Sequence, residues 1–213
     1  MLSAPQQTHV PRSSKPELRY HADFTAGALK VPESRKIADL LIEGCTEEEW
    51  RKRIVDDNVL QARSALTAKR LTLLIRKRLE TMDLALWRLV RDRSLTVATH
   101  ACLAAAVKQS ALLGDFLDLV VREQYRLRAP TLSRVLWERY VEDCRNRDPD
   151  LPAWKQSTVD RLRSSVFQIL AQAGYIENTK TLTLQRTHIA RDVLQYLEAR
   201  DEHYVLRCIT VHP

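Results

Sequence analysis

The chain has 213 residues, 45% of them hydrophobic and 29% charged, which is the balance of a folded globular protein and excludes a disordered one. The length suffices for one domain or two small ones sharing an interface, and a formal net charge of +7 makes the molecule mildly basic. Only 4 glycines disfavour turn-rich β architectures and glycine-built phosphate loops, and 4 scattered cysteines without a C-x-x-C pair exclude a disulfide framework.

Residues 1–18 are polar and proline-bearing, and are expected to be a flexible segment without the apolar stretch of a secretory signal. A helix is predicted from about Glu33 to Glu43, with Ile37, Leu40 and Leu41 inward. Thr46 and Glu49 in TEEEW form a capping box, and the helix they open carries Trp50, Ile54 and Val55 to the core. After a break at Asp56–Asn58, residues 62–82 read as an amphipathic helix with Leu71, Leu74, Ile75 and Leu79 as its buried stripe.

That helix holds most of the charge excess. Residues 59–93 carry nine basic and three acidic side chains, while residues 157–203 balance six against six. Lys69, Arg70, Arg76 and Lys77 project from the flanks of the stripe, with Arg63 one turn earlier, and the seven-residue spacings stack like charges along the surface. Two readings stay open: a solvated basic face, or a surface for a polyanion, on which this helix would outweigh the 157–173 segment.

Helices at about 84–92 and 94–110 follow. The longest uncharged run, Ser94 to Val107, is 14 residues, short of the roughly 20 a membrane span needs, so it reads as a buried helix in a cytoplasmic protein. Gly114 is expected to interrupt before a helix at 115–127, and Thr131 to cap one bearing Leu132, Val135, Leu136 and Tyr140. Residues 145–154 form a polar, proline-containing connector.

Ser157 reads as the cap of a helix whose stripe, Val159, Leu162, Val166, Ile169, Leu170 and Ala173, ends at Gly174. Residues 175–177 and 182–184 form a strand-like pair around NTKT, a helix runs from about 188 to 200, and YVLRCITV resembles a closing strand. Helix, helix and hairpin is the order of a winged helix-turn-helix. The expected fold is thus mainly α, a helical bundle over 19–129 followed by a winged-helix-like module with a small β-hairpin over 130–213. In that module the 157–173 helix would present Thr158, Arg161, Ser164 or Ser165, and Gln168 to phosphates and base edges, with Lys155 just before it and Lys180 on the hairpin turn.

Catalytic patterns are missing. No P-loop or G-x-G-x-x-G sequence is present, and no H-E-x-x-H. His100 and Cys102 point apart at i and i+2 on a helix and read as core residues, and the Glu47–Glu49 cluster is explained by the helix dipole. The expectation is a protein that is not an enzyme and uses no metal or cofactor.

The runs YHADFTAGALKVPESRKIADLL (20–41) and WRKRIVDDNVLQARSALTAKRLTLLIRKRL (50–79) resemble the BrxA family. The matching positions are Tyr20, Phe24, Thr25, Gly27, Glu33, Ser34, Asn58, Leu60, Arg63, Arg70, Arg78 and Leu79. GDFLDLVV (114–121) and the 158–176 stretch ending in Ala173, Gly174, Tyr175 and Ile176 are similar too. This resemblance implies a small helical component of a BREX bacteriophage-exclusion system, with a NusB-like bundle and affinity for double-stranded DNA. It implies as partners a DNA methyltransferase, an ATPase and a phosphatase-like protein, and it supplies no catalytic residues. The alternatives are an adaptor whose basic helix docks on an acidic protein, and an RNA-binding protein by the NusB likeness. Homodimer formation stays open.

Overall fold

Five of the helices begin on a capping side chain. In the computed structural model, which describes residues 19–25 and 27–211, α1 spans Val31–Glu43 and closes on Gly44, whose left-handed φ of 70° turns its N–H back to the carbonyls of Leu40 and Leu41. α2 (Glu47–Arg51) opens on the expected capping box, with the Glu49 carboxylate accepting from the Thr46 N–H at 2.7 Å. It continues as wide π turns over Lys52–Asp56. α3 (Ala65–Leu79) is capped by Ser64, α4 (Leu84–Asp92) by Asp83 and α5 (Leu95–Gln109) by Ser94. Ser110 starts α6 (Ala111–Asp115), which runs through π turns at Phe116–Val121 into α7 (Arg122–Arg126).

Every residue of α5 from Ala98 to Val107 is buried. α1, α3, α4, α6, α10 (Arg191–Glu198) and α11 (His203–Ile209) surround it. Between them in sequence, α8 (Val135–Arg147) packs on the π turns of residues 116–121, and α9 (Gln156–Gln172) packs on α8. Phe24, Phe116, Trp137 and Tyr140 join the two parts, with Phe116 meeting Trp137 edge-on at 5.1 Å and Tyr140 at 5.2 Å. The buried cluster therefore runs across the expected 129/130 boundary.

The molecule is mainly helical. Among the described residues, bridge pairing is confined to isolated antiparallel bridges at Thr131 with Thr183 and Ile176 with Leu184. Several sequence expectations are corrected. Gly114 lies inside α6, and the break falls at Ser110. Thr131 sits in a bridge, α8 starts four residues later, and its Val135 is exposed. Lys155 rather than Ser157 precedes α9. The expected closing strand is α11, because Val205, Cys208 and Ile209 have helical spacing and are buried together. The 1–18 segment lies outside the described residues.

His100 and Cys102 are buried on α5 as expected, and His100 Nδ1 accepts the Ala190 N–H at 3.0 Å. The four cysteines are free thiols. Among the described residues no helix is long and apolar enough to cross a membrane.

One buried carboxylate ties three distant segments together. Asp115 accepts hydrogen bonds from Arg19 Nη2, the Tyr20 hydroxyl and the Tyr204 hydroxyl, each at 2.8 Å. Burial pushes its pKa up, but the bonds from Arg19, Tyr204 and Tyr20 outweigh burial and hold the carboxyl below its usual value. Gly114 is required beside it, since a Cβ there would lie 2.4 Å from the Tyr204 hydroxyl oxygen.

A depressed carboxylate pKa stabilises the fold above the unfolded value and ceases to do so as pH falls through the folded one. Asp115→Asn should therefore cost about 2–3 kcal/mol at pH 7, mainly through the two tyrosine bonds because Arg19 is more than half exposed. In urea titrations that deficit should shrink as pH falls below about 4. An equal deficit at both ends would show that the charge is not its source. Gly114→Ala should cost about 1–3 kcal/mol by overpacking, and less in a Tyr204→Phe background, where the offending oxygen is gone.

Candidate nucleic-acid interface

α3 buries Ala68, Leu74, Ile75 and Leu79 against α1, α5 and the turns after α2. Lys69, Arg70 and Lys77 stand exposed on the opposite side, and Arg63 is exposed just before the helix rather than on it. The basic residues of 59–93 are less available than their number suggests. Arg76 lies 2.7 Å from Glu47 and 2.6 Å from Glu80, with its guanidinium 4.7 Å from the centre of the Trp50 ring. Hydrogen bonds to Glu80 and Glu47 raise its pKa, so it is already neutralised. Arg78 is buried, donating from Nη1 to the Ala28 carbonyl at 2.8 Å, and desolvation pushes its pKa down to about 10. Arg91 pairs with Asp39 and Asp92, and Arg93 with Asp192. Arg63, Lys69, Arg70, Lys77 and Arg88 are left without an ion pair among the described residues. Leu66 and Leu73 share the outer face of α3 at 59% and 58% exposure.

α9 turns Val159, Leu162, Val166, Ile169 and Leu170 inward and leaves Lys155, Arg161, Ser164 and Gln168 exposed, with Thr158 half-buried. Ser165 is buried, which corrects its expected outward position: it falls three residues after Leu162 and four before Ile169, on the core stripe. The Ser164 hydroxyl donates to the Asp160 carbonyl at 2.9 Å. The exposed line of α9 forms a ridge between two shallow clefts. One, of about 340 Å³, runs past Thr25 and Gly27; the other, of about 250 Å³, runs past Arg134 and Thr179. Lys180 is exposed on the adjoining turn, whose shape is set by Asn178 Oδ1 accepting the N–H groups of Lys180 at 2.8 Å and Thr181 at 2.9 Å. Arg163 is engaged by Glu138 and by Asp160, the latter at 3.0 Å, and does not add to the free charge.

A third basic surface escaped the sequence reading. Arg128, Arg186 and His188 line a cleft of about 670 Å³ with Tyr125, Leu184 and Arg126, the last paired with Glu123 at 2.8 Å. Two segments some sixty residues apart in the chain meet there because the Leu184 N–H donates to the Pro130 carbonyl at 3.0 Å. Isolated arginines flanking Pro130 and Thr187 carry no periodicity that could have joined them. Among the described residues no group of histidine, cysteine, aspartate or glutamate side chains is placed to hold a metal ion.

The BrxA family model matches residues 18–201. The BREX protein BrxA of Paramagnetospirillum magneticum (strain ATCC 700264 / AMB-1) is 53% identical over 195 residues, covering 92% of this chain and 98% of that protein. That of Escherichia coli O9:H4 (strain HS) is 32% identical over 185 residues, 84% of this chain and 85% of the relative. The crystal structure of an uncharacterized protein from Magnetospirillum magneticum superposes with a TM-score of 0.84 at 51% identity, covering 91% of this chain and 99% of the other. The chain belongs to the BrxA family.

Proposed function

We propose that the protein is a non-catalytic, double-stranded-DNA-binding component of a BREX phage-defence system, working with the system's other proteins. Membership of a family whose relatives are named BREX protein BrxA supports the setting. The observation that carries the DNA reading is the α9 ridge. Arg161, Ser164 and Gln168 lie along two open clefts, with Lys155 at the start of the helix and Lys180 on the adjoining turn, and the three cations are exposed and without ion pairs among the described residues. Cations fix a duplex through its phosphates, and hydroxyl and amide side chains meet base edges.

The local topology favours the same reading. A short extended segment at Thr131, two helices and a turn closed at Ile176 and Leu184 follow the order of a winged helix-turn-helix, with its sheet reduced to single bridges. α9 would lie in the major groove and the 178–181 turn against the backbone. Arg63, Lys69, Arg70 and Lys77 add an attractive field. They are a weaker contact surface than their charge suggests, because two exposed leucines sit among them.

Duplex binding should weaken steeply with salt, each phosphate contact contributing about −0.9 to the slope of log affinity against log salt. The triple substitution Lys155→Ala, Arg161→Ala and Lys180→Ala should flatten that slope by about 2–3 units with an unchanged melting temperature. Gln168→Ala should alter sequence preference with little effect on slope. Anisotropy titrations on duplex DNA and duplex RNA across a salt series check both. Salt-independent binding would remove the DNA reading, and equal or tighter RNA binding would replace it with an RNA one.

A further inference from the structure

We propose that the outer face of α3 is a docking surface for an acidic amphipathic helix of a partner protein. Leu66 and Leu73 are seven residues apart, so they lie almost on one line along the helix. They are 59% and 58% exposed, in a molecule that buries the other apolar stripe of the same helix. Arg70 and Lys77 repeat the seven-residue spacing on one side of the line, and Lys69 stands on the other. A supercoiled seam takes two apolar positions per heptad and α3 supplies one, flanked by charges, so the line suits a short amphipathic helix laid against it.

The charge says what kind of helix would complete it. Lys69, Arg70 and Lys77 have no ion pair among the described residues, and Glu80 at the end of the helix and Glu47 are engaged by Arg76. A second copy of the same face would set cations against cations, which disfavours a symmetric pair. A phosphate backbone would neutralise the cations yet leave the leucines against a charged, hydrated surface with nothing apolar to cover them. A helix with an apolar stripe bordered by glutamates or aspartates satisfies both components, by helix-in-groove logic with charge setting orientation. This surface is separate from the α9 ridge, so the proposal does not depend on the DNA reading.

The test uses the full chain and a labelled synthetic peptide about three heptads long, with leucine at the seam positions and glutamate at the flanking ones. A shuffled peptide of identical composition is the control. The wild-type chain should bind the seam peptide at least about tenfold more tightly than the shuffled one. Leu66→Ser with Leu73→Ser should remove that preference, change solvent-facing positions only, and leave duplex DNA affinity as it was. Lys69→Glu, Arg70→Glu and Lys77→Glu together should lose the glutamate peptide and gain a lysine-flanked version of it. Equal binding of seam and shuffled peptides would overturn the proposal, as would retention of peptide binding by the leucine variant. So would loss of duplex affinity in the leucine variant, which would make the face a nucleic-acid surface. A dimer in sedimentation velocity that the leucine variant abolishes would make the occupant a second copy.

Discussion

A helix with no polar side has to be enclosed from every direction, and α5 is such a helix. Ten consecutive residues, Ala98 to Val107, are buried on it, and the run Ala104, Ala105 and Ala106 lets neighbouring helices approach closely. α1, α3, α4, α6, α10 and α11 are placed by the need to cover it. Each covering helix spends one face on α5 and its neighbours. α3 and α4 keep a face for solvent or for something else, and α9 packs on α8 and reaches α5 at its C-terminal end, where His100 meets the Ala173 backbone.

The order of covering matters for the candidate interface. The chain leaves the bundle after α7, builds α8, α9 and the 176–184 turn, and then returns as α10 and α11. The return is fixed by specific bonds: Ala190 N–H to His100, the Tyr175 hydroxyl to the Ile209 carbonyl at 2.6 Å, Arg122 to the Thr210 carbonyl at 3.0 Å, and Tyr204 to Asp115. The α8–α9 module is thereby anchored where the chain leaves it. A recognition surface needs such support, since contacts to a duplex are lost when the presenting helix can tilt.

Much of the helical order was legible in the sequence because caps and apolar spacing act within one turn. Thr46 with Glu49 marks its helix, the apolar stripe Leu74, Ile75 and Leu79 marks α3, and Gly174 ends α9 at a left-handed φ of 82°. What was not legible depended on partners remote in sequence. The 204–211 segment fits either period. Its helical form is decided by Gly114 and Asp115, about ninety residues away, where Tyr204 has to land. Ser165 differs from Ser164 only in angle about the axis, and the position of the core settles which of them faces out. Charge was the weakest guide. A count over the sequence adds Arg76 and Arg78 to the excess of one basic segment, whereas in the folded chain one is neutralised by Glu47 and Glu80 and the other is inside.

The two cationic helices of the protein differ in what lies between the charges, and that difference governs what each can hold. Attraction at distance is nearly blind to it, because within a Debye length of about 10 Å at 0.1 M salt a polyanion senses the charge and not what lies between the charges. Contact is selective, because water has to leave. On α9 the groups between the cations are Ser164 and Gln168, which keep their hydrogen bonding when a hydrated, phosphate-lined groove replaces water. On α3 they are Leu66 and Leu73, whose gain on losing water is realised only against another apolar surface. Salt separates the two in kind, since counterion release makes phosphate binding steeply salt-dependent whereas burial of a leucine seam is not weakened by salt. On the two proposals made for these helices, α9 would hold a nucleic acid and α3 a protein without competition, because the field that recruits both is shared and the desolvation that retains each is not.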